Sequence, residues 1–577
     1  MKILPKGVTK FTEIIDQSKY FVDTTSYIEK LDNSGENFLF FVRPRRFGKS
    51  VFIDMLEAYY DIARKDKFEH YFRNTWIYDH VTEEQGKYQV INLDFSNISG
   101  DIDTVEFDFN DLVGRAILRQ AKKYSSFYSN DFISEIASIS TAKNRLEHFC
   151  AEARVKGYPV YLLVDEYDNF TNAILSSAGK ASYHDITHGT GFYRDFFKVV
   201  KSGFQKIFMT GVTPVTLDDL TSGFNIATNI TLDPNYNGMM GFSETEVRKI
   251  IEYYKKEGTL SEFDTEEIIS CMAPWYDNYC FSKNAFDHHE HVYNSYMVTT
   301  CLLALIKKGE FPEGMMVPNS LIDYEKLKWI AELDHTFAQT SDIRNETIED
   351  IILGKVSPAP ISESFPAEEI TDDNNFLSYL FYLGMLTVTG KDLGMPVLGI
   401  PNSIVRQKYY EYLRRNCSDK VDRGLVPKMG KLITGAARDG SIRPLTEAVT
   451  EAYAKYSGNR QLKMREGLFQ AFFLAFMASN DVYEQAPEIE MNHGYSDIFL
   501  FPKKDNGIRH SYLIELKYLE TDSTEHKKEE ALHAAREQLE RYVKDPIAQM
   551  LSRNTALHKV VVIIRGFKLE LFEDEIA

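Results

Sequence analysis

The chain is short of several things that would assign it quickly. Its 577 residues contain five cysteines, scattered and odd in number (Cys150, Cys271, Cys280, Cys301, Cys417), which suits a reducing compartment better than a disulfide framework. No apolar run approaches the roughly 20 residues that a membrane span needs; the most apolar, Leu468 to Ala478, reads as a buried helix. The segment Met1 to Asp16 lacks the apolar core of a signal peptide, so a cytoplasmic protein with no membrane partner is expected. Positive charge is also scarce. A net charge of −19 excludes a surface that coats nucleic acid non-specifically, and confines any such contact to a local groove. Internal repeats and low-complexity tracts are missing too.

What is present is a well-packed globular composition, 44% hydrophobic and 13% aromatic, in a chain long enough for two to four domains. Four nearly continuous apolar runs, Phe38 to Val42, Gln89 to Asp94, Val160 to Val164 and Lys206 to Thr210, read as strands covered on both faces. Helical stretches such as Ser50 to Arg64 and Tyr193 to Ser202 lie between them, so residues 1–235 are expected to form an α/β core with a mostly parallel sheet. A helical appendage is expected over 236–354, opening at Ser243-Glu244-Thr245-Glu246, where serine caps and glutamate reaches back. Pro358, Pro360 and Pro366 mark 355–375 as a linker, and 376–420 reads as a small winged-helix-like module or an ordinary helical pair. Residues 421–577 are expected to form a C-terminal domain with its preceding helices.

Arg43-Pro44-Arg45-Arg46-Phe47-Gly48-Lys49-Ser50 follows the first strand and opens a helix. Amides at a helix N-terminus face anionic oxygens, a lysine reaches terminal phosphates, and a serine hydroxyl holds magnesium. Arg45 to Val51 are therefore candidates for the ATP site (Arg45, Arg46, Phe47, Gly48, Lys49, Ser50, Val51), although Arg43 stands where a phosphate loop normally begins with glycine. The strand ending in Asp165-Glu166 is a Walker B-type signal, with Asp165 as a magnesium ligand and Glu166 oriented at the attacking water. Thr210, at the end of its own strand, is a candidate γ-phosphate sensor. Cys280 with His288, His289 and His291 lacks the paired spacing of a zinc knuckle and reads as a polar loop.

A second centre follows from strand alternation. Glu515 and Lys517 share a face of the strand Ser511 to Tyr518, and a hairpin through Lys503 to Gly507 brings Asp497 beside them. Two carboxylates and an ammonium at one point suit magnesium-dependent phosphodiester hydrolysis: Asp497 and Glu515 as metal ligands, Lys517 as the catalytic cation. The helix Arg465 to Ser479, the strand Glu488 to Met491, the helix Lys527 to Val543 and the strand Lys559 to Arg565 complete an αβββαβ order.

Two resemblances attach to these residues. Tyr20 to Thr24, Arg43 to Ser50, Val164 to Asp168, Thr210 to Val212 and Trp275 to Tyr279 resemble the motif series of the bacterial AAA-ATPase-like proteins over about residues 5 to 300, where an arginine-rich, glycine-poor loop is the normal form. Thr24 and Asp277-Asn278 depart from that pattern. The stretch from about 460 to 577 resembles the PD-(D/E)XK nuclease superfamily, which implies Glu466 as the first-helix acid and Gln538, one turn from Tyr542, as a supporting residue. Together they imply a P-loop ATPase fused to a nuclease that uses ATP and Mg²⁺, with DNA or RNA as partner. The alternatives are an ATP-controlled nucleic-acid-binding module with an inactive nuclease fold, or an ATPase that remodels a protein partner. A homo-oligomer is implied if a neighbouring subunit completes the ATP site.

Overall fold

The computed structural model describes all residues except 190, 225–226, 313–314, 316–346, 371, 421–423, 459–465, 479–481, 492–493, 504–506 and 553. The described residues group into two units, one from 1–322 with 357–402 and the other from 323–356 with 403–577.

The first unit is built on five strands: β1 (Phe38–Val42), β2 (Gln89–Asp94), β3 (Val160–Asp165), β4 (Lys206–Gly211) and the short β5 (Thr228–Asn229). They are all parallel, in the order β2-β3-β4-β1-β5. The apolar runs explain this: every residue of β3 is buried, and a strand covered on both faces is stable only where helices follow it on each side. Helix α1 (Lys49–Tyr60) leaves β1 through the arginine-rich loop, and α2 (Gly179–Thr187) lies between β3 and β4. After β4 come α3 (Val215–Phe224) and then α4 (Glu244–Lys256), whose N-terminus has the expected capping box between Ser243 and Glu246. Because β4 lies between β1 and β3, the loop after β1, the acids after β3 and Thr210 all open on the carboxyl edge of the sheet, where ligands of parallel sheets bind.

Helix α5 (Asp373–Tyr382) and the hairpin β6 (Thr387–Asp392) with β7 (Met395–Gly399) also belong to this first unit. Thr387 explains why. Its hydroxyl accepts from the Cys280 amide at 2.7 Å and donates to the Cys280 carbonyl at 3.1 Å. The break after residue 402 therefore runs through the stretch 376–420, and α6 (Ser403–Lys420) opens the second unit.

The second unit holds a five-stranded mixed sheet. Helix α7 (Glu466–Met477) is followed by β8 (Tyr483–Met491), β9 (Gly494–Pro502) and β10 (His510–Leu519); helix α8 (Glu525–Tyr542) then leads to β11 (Ala556–Arg565) and β12 (Lys568–Ile576). The sheet order is β12-β11-β10-β9-β8, with β10 and β11 parallel and the other neighbours antiparallel. Leu513, Leu519, Phe499, Val561 and Ile563 pack with Ala535, Leu539 and Tyr542 of α8. The sheet face that carries Glu515 is thus the one under α8.

Candidate functional sites

In the first unit, the loop from Arg43 to Ser50 turns back on itself around two left-handed residues, Arg46 (φ 72°) and Gly48 (φ 101°). At Gly48, which precedes α1, the backbone conformation rather than crowding demands glycine: an added Cβ would meet only Ser295 Oγ, at 3.9 Å. The missing first glycine is explained by Arg43, which points into the protein. Its side chain is 1% exposed and lies between the rings of Phe41 and Phe281 at 4.1 and 4.2 Å. The guanidinium donates to the carbonyls of Val42, Thr231, Tyr236 and Asn237. Arg43 thus fixes the base of the loop to the segment after β5 and does not face the phosphates. Arg43→Ala should lower the stability of this unit by about 3 kcal/mol, because it leaves carbonyls unpaired and opens a cavity. Lysine should not rescue, having no fork to span four acceptors. Thermal unfolding followed alongside nucleotide binding checks this.

Arg45 donates to Asn169 Oδ1 at 3.3 Å, Arg46 stacks on Tyr296 at 4.7 Å, and Phe47 packs edge-on against Tyr279 and Phe281. Lys49 is buried. Its ammonium donates to the carbonyls of Arg43 (3.2 Å) and Pro44 (3.3 Å) and lies 3.5 Å from Glu166 Oε1. Glu166 has a left-handed backbone (φ 52°), a conformation costly for a side chain with a Cβ, and its amide bonds to Asp165 Oδ1. Asp165 is 5% exposed, and burial, with Glu166 beside it, pushes its carboxyl up to about 6, against the pull of the Ser50 hydroxyl and Lys49. A hydroxyl bonded to a crowded, desolvated carboxylate is an oxygen donor set that fits a hard divalent ion such as Mg²⁺. Thr210 is fully buried, its hydroxyl without a hydrogen-bond partner among the described residues.

Beside this cluster lies a cavity of about 460 Å³ lined by Arg45 to Phe52, Glu166 and apolar groups from three distant segments, Leu4, Pro5 and Val8, Tyr20 to Val22 and Met239 to Phe242, with Tyr296. Polar loop at one end and apolar walls at the other suit a nucleotide's phosphates and base. The motif reading missed Leu4, Met239, Met240 and Tyr296. Nothing local marks them, since they become a wall only when the chain folds. Asp168 was noted only within a motif, yet it is buried and accepts from the amides of Val212 (3.0 Å) and Thr213 (2.8 Å). It ties the loop after β3 to the loop after β4.

In the second unit, the β9–β10 ladder pairs Tyr512 with Leu500, Leu513 with Phe499 and Ile514 with Ile498. The next pair would be Asp497 with Glu515, and there the strands part. Asp497 instead uses its carboxylate, Oδ2 accepting from the Leu516 amide at 2.8 Å. Glu515 is 0% exposed, with Lys517 Nζ at 3.1 Å from Oε2. Burial first, and Asp497 second, hold its carboxyl far above the usual carboxylate range, outweighing Lys517. Its Oε1 is buried without a hydrogen-bond partner among the described residues. An orphaned carboxylate oxygen next to a second carboxylate fits a hard cation better than it fits water-excluded protein.

Asp497, Glu515 and Lys517 are therefore brought together. Gln538 lies on α8 with Nε2 3.5 Å from Tyr542 Oη. Glu466 begins α7, but its side chain lies outside the described residues. Part of the expected turn, residues 504–506, lies outside them as well. Gln470, one helical turn beyond Glu466, was not anticipated; its amide donates to the Asp497 carbonyl at 2.5 Å and holds β9 at the point where the strands diverge.

Fold and site together define a class: a P-loop nucleoside-triphosphatase-type unit in one chain with a nuclease-type mixed sheet carrying a D…E-x-K centre. Residues 5–221 match the family model described as predicted AAA-ATPase, and residues 464–573 match that of the PD-(D/E)XK nuclease superfamily. The chain is a fusion of an AAA-ATPase-like domain with a PD-(D/E)XK nuclease superfamily domain. An uncharacterized protein in the vnfD 5′ region of Azotobacter chroococcum is 27% identical over 317 residues, 54% of this chain and 53% of that protein. The match thus spans about half the length of that curated relative. No helix among the described residues is long and apolar enough to cross a membrane.

Proposed function

We propose that the protein is an ATP-controlled, metal-dependent nuclease of the cytoplasm that cleaves DNA or RNA held in a local groove. The observation that carries the reading is the convergence of Asp497, fully buried Glu515 and Lys517 where β9 and β10 separate. A bound divalent ion there, held by Asp497 and Glu515, would polarise a phosphodiester and acidify a water. Lys517, 3.1 Å from Glu515, would neutralise the charge that develops on the phosphate. Gln538 would support the centre from α8, and Glu466 is assigned a supporting role on the family resemblance alone.

At the other centre, Lys49 and Glu166 neutralise one another across 3.5 Å. Binding of ATP would draw the Lys49 ammonium away from the Arg43 and Pro44 carbonyls toward the phosphates. That releases the Glu166 carboxylate to accept a proton from the attacking water. Ser50 and Asp165 would hold the magnesium ion that shields the phosphate charge, and Thr210 would bond the γ-phosphate from the neighbouring strand. The exchange of the Lys49–Glu166 pair for a lysine–phosphate contact is a charge switch by which the ATP state would gate cleavage.

The test uses labelled single- and double-stranded DNA and RNA, with Mg²⁺ and with or without ATP. Products are expected from at least one substrate, with the rate falling at least about 10²-fold in Lys517→Ala. Binding without products under every condition would refute the cleavage reading.

A further inference from the structure

A cluster of ligating side chains lies in the first unit, apart from the residues of the ATP site. Helix α2 carries His184, and His188 follows its last turn; four residues apart, they share a face, with rings stacked at 3.9 Å and 7°. Glu368, from the single 3₁₀ turn Ala367–Glu369 that precedes α5, completes a set whose ligand atoms all lie within 4.8 Å of one another. We propose that His184, His188 and Glu368 bind a divalent transition-metal ion, zinc in the first instance, with Asp219 of α3 as a neighbouring carboxylate. Two imidazoles and a carboxylate are a nitrogen–oxygen set suited to zinc, and differ from the all-oxygen sets at Ser50–Asp165 and Asp497–Glu515.

The hydrogen bonds around the cluster favour one nitrogen as the available one. Thr187 Oγ1 donates to the Tyr183 carbonyl at 2.9 Å, so toward His188 Nδ1, at 3.0 Å, it acts as acceptor. That places the His188 proton on Nδ1 and leaves Nε2 with its lone pair. Nε2 faces Asp219 Oδ1 at 3.5 Å. In that tautomer two electron-rich atoms face one another, an arrangement that a cation bound beside them would stabilise. Asp219 is only 5% exposed, and its other oxygen accepts from Tyr183 Oη at 2.6 Å and from the Ala367 amide at 3.2 Å. The carboxylate is thereby held in place with Oδ1 directed at His188.

A tetrahedral zinc with bonds of about 2.0–2.1 Å spaces its ligands by about 3.4 Å, so metal binding would draw the two exposed outer side chains, His184 and Glu368, in from their present spacing of up to 4.8 Å. The metal would staple the 3₁₀ turn that leads into α5 to the helix between β3 and β4. The Lys180 ammonium already contacts the Glu368 carbonyl there, at 3.1 Å.

The test takes full-length protein, stripped with chelator and kept in excess Mg²⁺ to occupy the oxygen sites, and titrates Co²⁺ as optical probe followed by Zn²⁺. The wild type is expected to bind one more equivalent of Zn²⁺ than His184→Ala/His188→Ala, with a visible Co²⁺ d–d spectrum that the double variant lacks. Glu368→Gln should weaken Zn²⁺ at least about 10-fold, and Thr187→Val, which removes the hydroxyl that bonds Nδ1 and the Tyr183 carbonyl but no proposed ligand, about 10-fold at unchanged stoichiometry. Retained ATP binding in each variant shows that the unit is folded. Equal Zn²⁺ stoichiometry and equal Co²⁺ spectra in wild type and double variant would overturn the proposal, and a proton shared by His188 and Asp219 would then account for their approach.

Discussion

Glu515→Gln is expected to abolish cleavage while making the metal-free protein more stable. The carboxylate is fully buried beside Asp497, and its carboxyl is held far above the ordinary range by that burial. A carboxyl whose folded pKa is raised contributes stability that is fully present below its unfolded pKa and is lost as pH rises through the folded one. Between about pH 4.5 and the folded value, Glu515 therefore makes the second unit progressively less stable, and the strain is greatest in mildly alkaline solution. Glutamine has the same shape without the charge, so at pH 8 the metal-free variant should unfold later than wild type by an amount on the order of 2 kcal/mol, net of the lost partner of Lys517. Cleavage should fall by about 10³-fold or more, since the variant offers one carboxylate where the chemistry uses two. Mg²⁺ should raise the unfolding temperature of the wild type at pH 8 and leave that of the variant nearly unchanged. Thermal scans at pH 5 and pH 8, with and without Mg²⁺, separate these contributions. A variant less stable than wild type at pH 8 would show that Glu515 is a structural acid satisfied by Lys517.

Glu166→Gln should separate ATP binding from hydrolysis. Glu166 sits at a strained φ of 52° with its carboxylate 3.5 Å from the buried Lys49 ammonium, so it is both the candidate base and the lysine's resting partner. Removing the charge takes away the base and should slow hydrolysis by about 10²–10⁴-fold. The same change frees Lys49, so ATP affinity should be equal to wild type or higher. Equilibrium binding of a fluorescent ATP analogue, beside phosphate release, reads both quantities. Loss of binding together with hydrolysis would mean that Glu166 chiefly holds the loop in shape.

Much of this was legible in the sequence for a definite reason. Continuous apolar runs such as Tyr161 to Val164 leave a strand no exposed face, and that alone implies a parallel sheet with chemistry at its carboxyl edge. The Glu515–Lys517 alternation was likewise readable because a strand has a period of two. Arg43 was not: the sequence shows it only as a residue standing where a phosphate loop begins with glycine, and only folding supplies the four carbonyls that draw it inward. Gln470 and the Met239–Met240 wall were hidden because each acts on a partner far away in the chain. The strand β12 was also missed. Its run Glu570 to Glu575 is too acidic to resemble a strand, although at the sheet edge one face of such a run stays in water.

The central claim is that the ATP site governs the nuclease site. It is tested most directly by measuring cleavage with Mg²⁺, with and without ATP, in wild type and in Lys49→Ala, a substitution in the ATP-site loop of the first unit. The account predicts that ATP changes the wild-type cleavage rate and leaves that of Lys49→Ala unchanged. Identical rates for both proteins, with and without ATP, would contradict it.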